Sequence, residues 1–432
     1  MKKNIIKPSI LPGFMELLPK EQEIFNDIVN KITGVYEKNG CIPIDTPIIE
    51  KSEVLLAKTG GETEKQVYSF QKGKNNLSLR FDLTVPFARY VAQHYNDLVF
   101  PFKRYQLGKV YRGERNQKGR YREFYQCDVD VIGKDILSIN NDAWVISLAS
   151  KAFKEIKLLN YKFQISNRKI LKGVLKEFDI NNTLDVMTLI DKYDKIGMEN
   201  FNKELINIIG KEKAASLNEI LNIDGSNIEI LNKLEKLNVK NAEFTLGLQE
   251  LKKVSEMLEV LGVKEEEFNI NLKIIRGLDY YTGTVFETLL IGNEGYGSIC
   301  SGGRYDNLAE NYTNNILPGV GISIGITRLF FVLKEIGFVD NYKKDRSLDY
   351  LIIPIGDTIK YCGKVKRYLD EKGYSIDIYF EDTPLKKKMT YANKLGVKKV
   401  ILIGEDEMEK GKIVVKDMES GSSRNLKLEI WN

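Results

Sequence analysis

The stretch Arg276-Gly277-Leu278-Asp279-Tyr280-Tyr281-Thr282-Gly283-Thr284-Val285-Phe286-Glu287 sets an arginine, two adjacent tyrosines and two acids along a short segment. Its Val285-Phe286 end reads as a buried strand, because β-branched and aromatic side chains suit a pleated surface. Alone, it is an ordinary strand with a polar head and two half-buried aromatics. A second segment changes that reading. Between Lys103 and Arg122, eight basic residues (Lys103, Arg104, Lys109, Arg112, Arg115, Lys118, Arg120, Arg122) face a single acid, Glu114. Just beyond, Phe124, Gln126, Asp128 and Asp130 fall on one parity, the period of two that gives a strand two different faces.

The rest of the 432-residue chain sets bounds. Its length allows two or three domains, each with its own core. Hydrophobic residues make up 43% and charged residues 29%, the balance of a globular protein. Net charge is +5, from 65 basic and 60 acidic residues, too small an excess to indicate nucleic-acid binding without local patches. Cys41, Cys127, Cys300 and Cys362 are widely spaced and form no CxxC, which argues against a zinc site or a disulfide framework and for a reducing compartment. The opening MKKNIIKPSILPGF lacks the apolar core of a signal peptide, and no run approaches the ~20 apolar residues of a membrane span. A soluble, cytoplasmic protein is expected.

Ile24, Phe25, Ile28, Val29, Ile32, Val35 and Tyr36 recur at helical spacing, and Gly40 follows as a stop. Cys41 to Ile49 then reads as extended chain broken by prolines. Leu79 to Thr84 and the arginine-rich segment carry strand-like alternation to Gly133. Residues 165–268 contain no proline and repeat Leu, Ile, Lys, Glu and Asn in helical patterns, which predicts a helical domain inserted between two halves of a sheet. After 341 the pattern becomes β-α-β-α-β, with strands at Tyr350–Ile355, Tyr374–Phe380 and Lys399–Ile403, which predicts an α/β domain with a largely parallel sheet.

Taken together these segments resemble the histidyl-tRNA synthetases, a family of class II aminoacyl-tRNA synthetases. Arg276 to Tyr281 is similar to the family's histidine signature, and the arginine-rich segment to the second class-defining motif. Gly321-Ile-Ser-Ile-Gly-Ile-Thr-Arg-Leu329 resembles the third motif, and the helix ending near Gly40 with Pro47 resembles the first. Five family elements in order cover most of the chain. The resemblance implies an α+β fold: an antiparallel catalytic sheet with flanking helices over 1–164 and 269–335, the helical insertion over 165–268, and an anticodon-binding domain over 341–432. It also implies a homodimer built on the first motif.

The implied reaction joins the histidine carboxylate to the α-phosphorus of ATP, releasing pyrophosphate, and then passes histidine to its tRNA. Both first reactants are anions and the nucleophile is already ionised, so the need is for positive charge and alignment rather than a general base. Guanidinium groups suit that need. By resemblance Arg112 and Arg276 are catalytic, Arg112 on the α-phosphate and Arg276 near the α-phosphate and carboxylate. Glu114, Arg120 and Arg328 join Arg112 in the ATP site, with Mg²⁺ arriving with ATP. A neutral imidazole has one donor and one acceptor nitrogen. Asp130 would accept the N–H, Tyr281 would address the other nitrogen, and Tyr280 and Tyr305 would complete the pocket. Asp82 and Thr84 would hold the ammonium group, and Gln126 would span ammonium and carboxylate. Arg115 and Gln117 would meet the tRNA acceptor end. The 341–432 segment carries 19 Lys and Arg against 15 Asp and Glu, and Leu385-Lys-Lys-Lys-Met389 is a candidate phosphate-steering site.

Family members usually have an acid before the third-motif arginine, where this chain has Thr327. His94 is the only histidine. Three other readings compete. One is the regulatory paralogue that assembles with ATP phosphoribosyltransferase, which typically lacks the anticodon domain and the intact arginine signature. Another is a silent tRNA sensor, for which loss of Arg112, Arg276 or Arg328 would be the mark. A third is a sister synthetase for threonine, proline or glycine, which lacks the Arg276-to-Tyr281 signature.

Overall fold

The computed structural model describes residues 6–57, 61–115, 117–275, 280–342 and 348–427. Two compact units divide the chain, Met1–Tyr342 and Lys343–Asn432.

The first unit is built on an eight-stranded sheet. Its strands are β1 (Ile42–Pro43), β2 (Phe102–Tyr111), β3 (Glu123–Ile132), β4 (Tyr161–Asn167), β5 (Phe268–Ile270), β6 (Thr284–Leu290), β7 (Cys300–Tyr305) and β8 (Gly319–Ile324). The spatial order is β1-β2-β3-β8-β7-β6-β4-β5. The six inner strands pair antiparallel, while β1 and β5 add parallel edges. The Val285-Phe286 pair is fully buried in β6, where the sequence placed a strand.

The two faces of β3 do different work. Cys127, Val129 and Val131 point into the main apolar core, which they share with helices Pro19–Lys38 and Asn140–Glu155. All seven apolar positions of the first helical pattern are buried in Pro19–Lys38. Burying a large apolar side chain contributes about 1.5–3 kcal/mol, so this stripe fixes the helix against the sheet. Gln126, Asp128 and Asp130 occupy the other face. A second core beneath that face gathers Phe81, Phe87, Val91, Phe102 and Leu308 around helix Thr84–Gln93.

Leu79 to Thr84 departs from its expected strand character. The strand Asn75–Leu79 ends there, and Thr84 opens the helix Thr84–Gln93. Asp82 makes the change possible by accepting the Val85 N–H at 3.1 Å, which satisfies a first-turn donor. Within 165–268, residues 165–167 finish β4, a run of helices extends from Arg168 to Val260, and Phe268 begins β5.

In the second unit, strands Tyr350–Pro354, Ile376–Ile378 and Lys399–Ile403 run parallel, with helices Ile359–Glu371 and Leu385–Leu395 as crossovers. The sheet then turns antiparallel through Lys412–Asp417 and Ser423–Lys427. Lys388, in the lysine run at 386–388, is buried and donates to the Pro354 carbonyl at 2.8 Å. It is a structural tie, and only Lys386 and Lys387 of that run are exposed.

Candidate active site

The polar face of β3 starts the site. Asp130 is buried with both carboxylate oxygens engaged: Oδ1 accepts the Tyr305 hydroxyl at 2.8 Å, and Oδ2 lies 2.6 Å from Arg104 Nη2. Arg104 comes from the neighbouring strand β2, directly opposite Asp130. It is fully buried, donates to the Leu83 carbonyl at 3.1 Å and packs over the Phe87 ring at 4.4 Å. Burial raises the Asp130 carboxyl pKa, while Arg104 and the Tyr305 hydroxyl pull it down. The Tyr305 phenol is pushed well above its ordinary value, chiefly by burial. It is therefore a donor to Asp130 as well as the aromatic wall expected.

Close packing here depends on two glycines of β8. A Cβ on Gly321 would overlap the Asp130 carboxylate, and one on Gly319 would overlap the Tyr305 ring. Tyr280 and Tyr281 meet edge to face with centroids 4.8 Å apart, and Tyr280 faces Tyr305 at 6.1 Å. A narrow cavity of about 10 Å³, lined by Thr84, Asp128, Asp130, Tyr281, Tyr305 and Ser323 among others, lies between these groups. It holds roughly one water, so the side chains must part to admit a ring.

Beside it, Asp82 is buried and accepts from the Tyr280 hydroxyl at 3.2 Å. Burial lifts its carboxyl to about 6, against the Val85 N–H, the Arg112 charge and the Tyr280 hydroxyl. Gln126 donates to the Ser323 hydroxyl at 2.9 Å, and its Oε1 has no partner among the described residues. Burial likewise lifts Asp128 to about 7, only partly offset by Arg104.

The arginines hold the other end. Arg112 donates to the Phe81 carbonyl at 3.0 Å, one residue before Asp82, which ties the two halves of the site together. Arg120 pairs with Glu114 at 3.2 Å, and both line an open cavity of about 370 Å³ with Lys65, Gln66, Arg115 and Gln117. Arg328, in the helix Ile326–Glu335 that follows β8, donates to the carbonyls of Ser298 at 2.9 Å and Gly119 at 3.3 Å. Thr327 accepts the Tyr125 N–H at 2.8 Å, so it supports β3. Arg276 lies outside the described residues.

The family model described as histidyl-tRNA synthetase matches residues 13–329, and an anticodon binding domain model matches 349–430. The chain belongs to the histidyl-tRNA synthetase family. It is an aminoacyl-tRNA synthetase with an anticodon-binding domain. The histidine–tRNA ligase of Clostridium acetobutylicum is 64% identical over 99% of both chains, and that of Clostridium tetani 51% identical over 99% of this synthetase and 98% of the relative. A crystal structure of histidyl-tRNA synthetase from Nostoc sp. superposes with TM-score 0.87 at 36% identity, covering 98% of this chain and 97% of that one. A Bacillus halodurans chain described as an ATP phosphoribosyltransferase regulatory subunit/histidyl-tRNA synthetase shares the fold, with TM-score 0.77 at 21% identity over 92% of this chain and 99% of that one.

Sequence reasoning passed over Arg104, which counted only as one basic residue among eight. Its signal was its place inside a strand on the parity of Phe102, where a buried charge needs a partner. Among the described residues no three acids, histidines or cysteines gather to hold a resident metal. One carboxylate, Glu114, faces the open cavity, which fits an ion such as Mg²⁺ whose remaining ligands come from a polyphosphate and water. No helix among the described residues is long and apolar enough to cross a membrane.

Proposed function

We propose that this synthetase is a histidine–tRNA ligase. The histidine carboxylate attacks the α-phosphorus of Mg²⁺-bound ATP, pyrophosphate leaves, and histidyl-adenylate forms. A hydroxyl of the 3′-terminal adenosine of histidine tRNA then attacks the activated carbonyl, and AMP leaves. The observation that carries the reading is the buried Asp130–Tyr305 pair with Tyr281 beside it, joined through Phe81–Asp82 to Arg112 and the arginine-lined cavity.

In this reading Asp130 and Tyr281 bracket the imidazole, with Tyr280 and Tyr305 as walls. Asp82, Thr84 and Gln126 hold the amino-acid backbone. Arg112 and Arg276 bear the charge that develops on the α-phosphate, and Glu114, Arg120 and Arg328 seat the outer phosphates with Mg²⁺. Arg115 and Gln117, both exposed, meet the tRNA acceptor end. The enzyme works in the cytoplasm as a homodimer through its first helix and strand, with 165–268 as an inserted helical domain and 341–432 reading the anticodon.

The test is ATP–pyrophosphate exchange without tRNA across all twenty amino acids. Exchange dependent on histidine alone is expected. Exchange with another amino acid, or with none, would overturn the reading.

A further inference from the structure

Asp128 sits on β3 between Gln126 and Asp130, on the same face, opposite Ser323 of β8. It is 2% exposed and lines the narrow cavity with Thr84, Asp130, Tyr281 and Tyr305. Its Oδ1 has no hydrogen-bond partner among the described residues. The other pocket carboxylates differ. Asp130 is taken up by Arg104 and Tyr305, and Asp82 by the Val85 N–H and Tyr280. A buried, unsatisfied carboxylate oxygen is costly to the free protein, and a donor brought in from outside recovers that cost.

Asp128 is also held for the task. Gln126 donates to the Ser323 oxygen at 2.9 Å, which leaves the Ser323 hydroxyl proton to turn toward Asp128. One oxygen is thereby oriented by the sheet, while Oδ1 is left to a donor that the described residues do not supply.

We infer that Asp128 is a specificity-determining residue, accepting an N–H of the imidazole ring of bound histidine beside Asp130. The inference rests on the histidine–tRNA ligase reading. The single ring N–H is shared between Asp128 and Asp130, with Tyr281 at the other nitrogen, so an analogue blocked at the donor nitrogen is rejected on both charge and shape.

The test uses the full-length enzyme and exchange kinetics with histidine, with the two ring-N-methylated histidines as inhibitors. Asp128→Ala is expected to raise KM for histidine roughly 10- to 100-fold and leave KM for ATP unchanged. It should also narrow the preference for histidine over one methyl isomer, for which the shortened side chain makes room, and not over the other. Asp128→Asn keeps the shape and one acceptor oxygen, so it should show a smaller rise in KM without lowering the ligand-free Tm. Unchanged histidine KM in both variants, or unchanged preference against both isomers, overturns the inference. So do equal losses for histidine and both isomers, which would put the carboxylate on the α-ammonium group. A lower Tm of Asp128→Asn with normal histidine KM would make the residue structural. If wild-type enzyme exchanges with histidine and the variants behave as wild type, only this inference falls. If wild type does not exchange with histidine, the functional reading falls first.

Discussion

The two ends of the site are built on opposite plans. At the end proposed to take histidine, Asp130, Tyr305 and Arg104 are buried and joined by short contacts, and Gly319 and Gly321 let the backbone approach them. At the end proposed to take ATP, Glu114 and Arg120 line an open cavity of about 370 Å³, with Arg115 and Gln117, proposed to meet the tRNA, at the same cavity. The difference follows from what each end must recognise. An imidazole is small and weakly charged, so it is told apart by fixed hydrogen bonds in a dry pocket, where a missing partner is heavily penalised. A triphosphate carries its own charge, which guanidinium groups can grip through paired hydrogen bonds.

The sharpest way to break this contrast is to remove Arg104. Arg104→Met leaves Asp130 buried without its counter-charge, and losing one partner of a buried pair costs about 3–5 kcal/mol. Urea unfolding should show that loss, and exchange kinetics should show histidine KM rising while ATP KM holds. Arg104→Met combined with Asp130→Asn should recover stability without recovering histidine use. Full recovery of both would mean that the pair serves folding alone. At the open end, Arg328→Ala should act in reverse. It is half-buried at the rim of the fold, where the Ser298 and Gly119 carbonyls it meets can take water, so stability should move by only about 1 kcal/mol, while kcat/KM for ATP drops about 10²- to 10³-fold. A stability loss as large as that of Arg104→Met would erase the distinction between the two ends.

The same contrast governs what the sequence revealed. Alternation in 124–130 exposed the polar face of β3, and the apolar spacing of 24–36 exposed the first helix, because both periodicities are local. The resemblance singled out the arginines of the open end because they stand in contiguous motifs. The Asp130–Arg104 pairing escaped because it depends on the register of β2 against β3. The glycines of β8 read as a motif, but their purpose depends on Asp130 and Tyr305 lying against them in space. Thr327 looked like a missing support for Arg328 because the Tyr125 N–H it satisfies is far away in sequence. The lysine run at 386–388 looked uniform, and only tertiary packing shows that Lys388 is turned inward.

A third, smaller effect should appear with pH at the buried end. An aspartate titrates near 3.9 in an unfolded chain, whereas Asp82 titrates at about 6 and Asp128 at about 7 in the fold. Between about pH 4 and 7 the folded, ligand-free protein therefore holds more protons than the unfolded chain. Its stability should fall as pH rises through that window. Histidine capture should move the other way, strengthening as the carboxylates ionise. Thermal unfolding with and without histidine from pH 5 to 8 would check both slopes, and Asp128→Asn should flatten the ligand-free one. A ligand-free stability that rises from pH 5 to 8 would contradict the account of these carboxylates as buried without full compensation.

The smallest expected effect falls where the two ends meet. β8 pairs with β3 only as far as Ile324 opposite Cys127. The chain then turns into the helix that carries Arg328, and the Tyr125 N–H is taken by the Thr327 hydroxyl. Thr327→Ala removes that acceptor and should cost about 1 kcal/mol in urea unfolding. Arg328 keeps its grip on the Ser298 and Gly119 carbonyls, so the KM values for ATP and histidine should stay within about twofold of wild type, inside the usual scatter of a change away from the reacting groups. Thr327→Val removes the same acceptor while keeping most of the volume, so it should match Thr327→Ala in stability if the hydrogen bond is what matters. A marked rise in ATP KM in either variant would show that Thr327 fills the place of the acid it replaces, and that the open end is held more tightly than its carbonyl contacts imply.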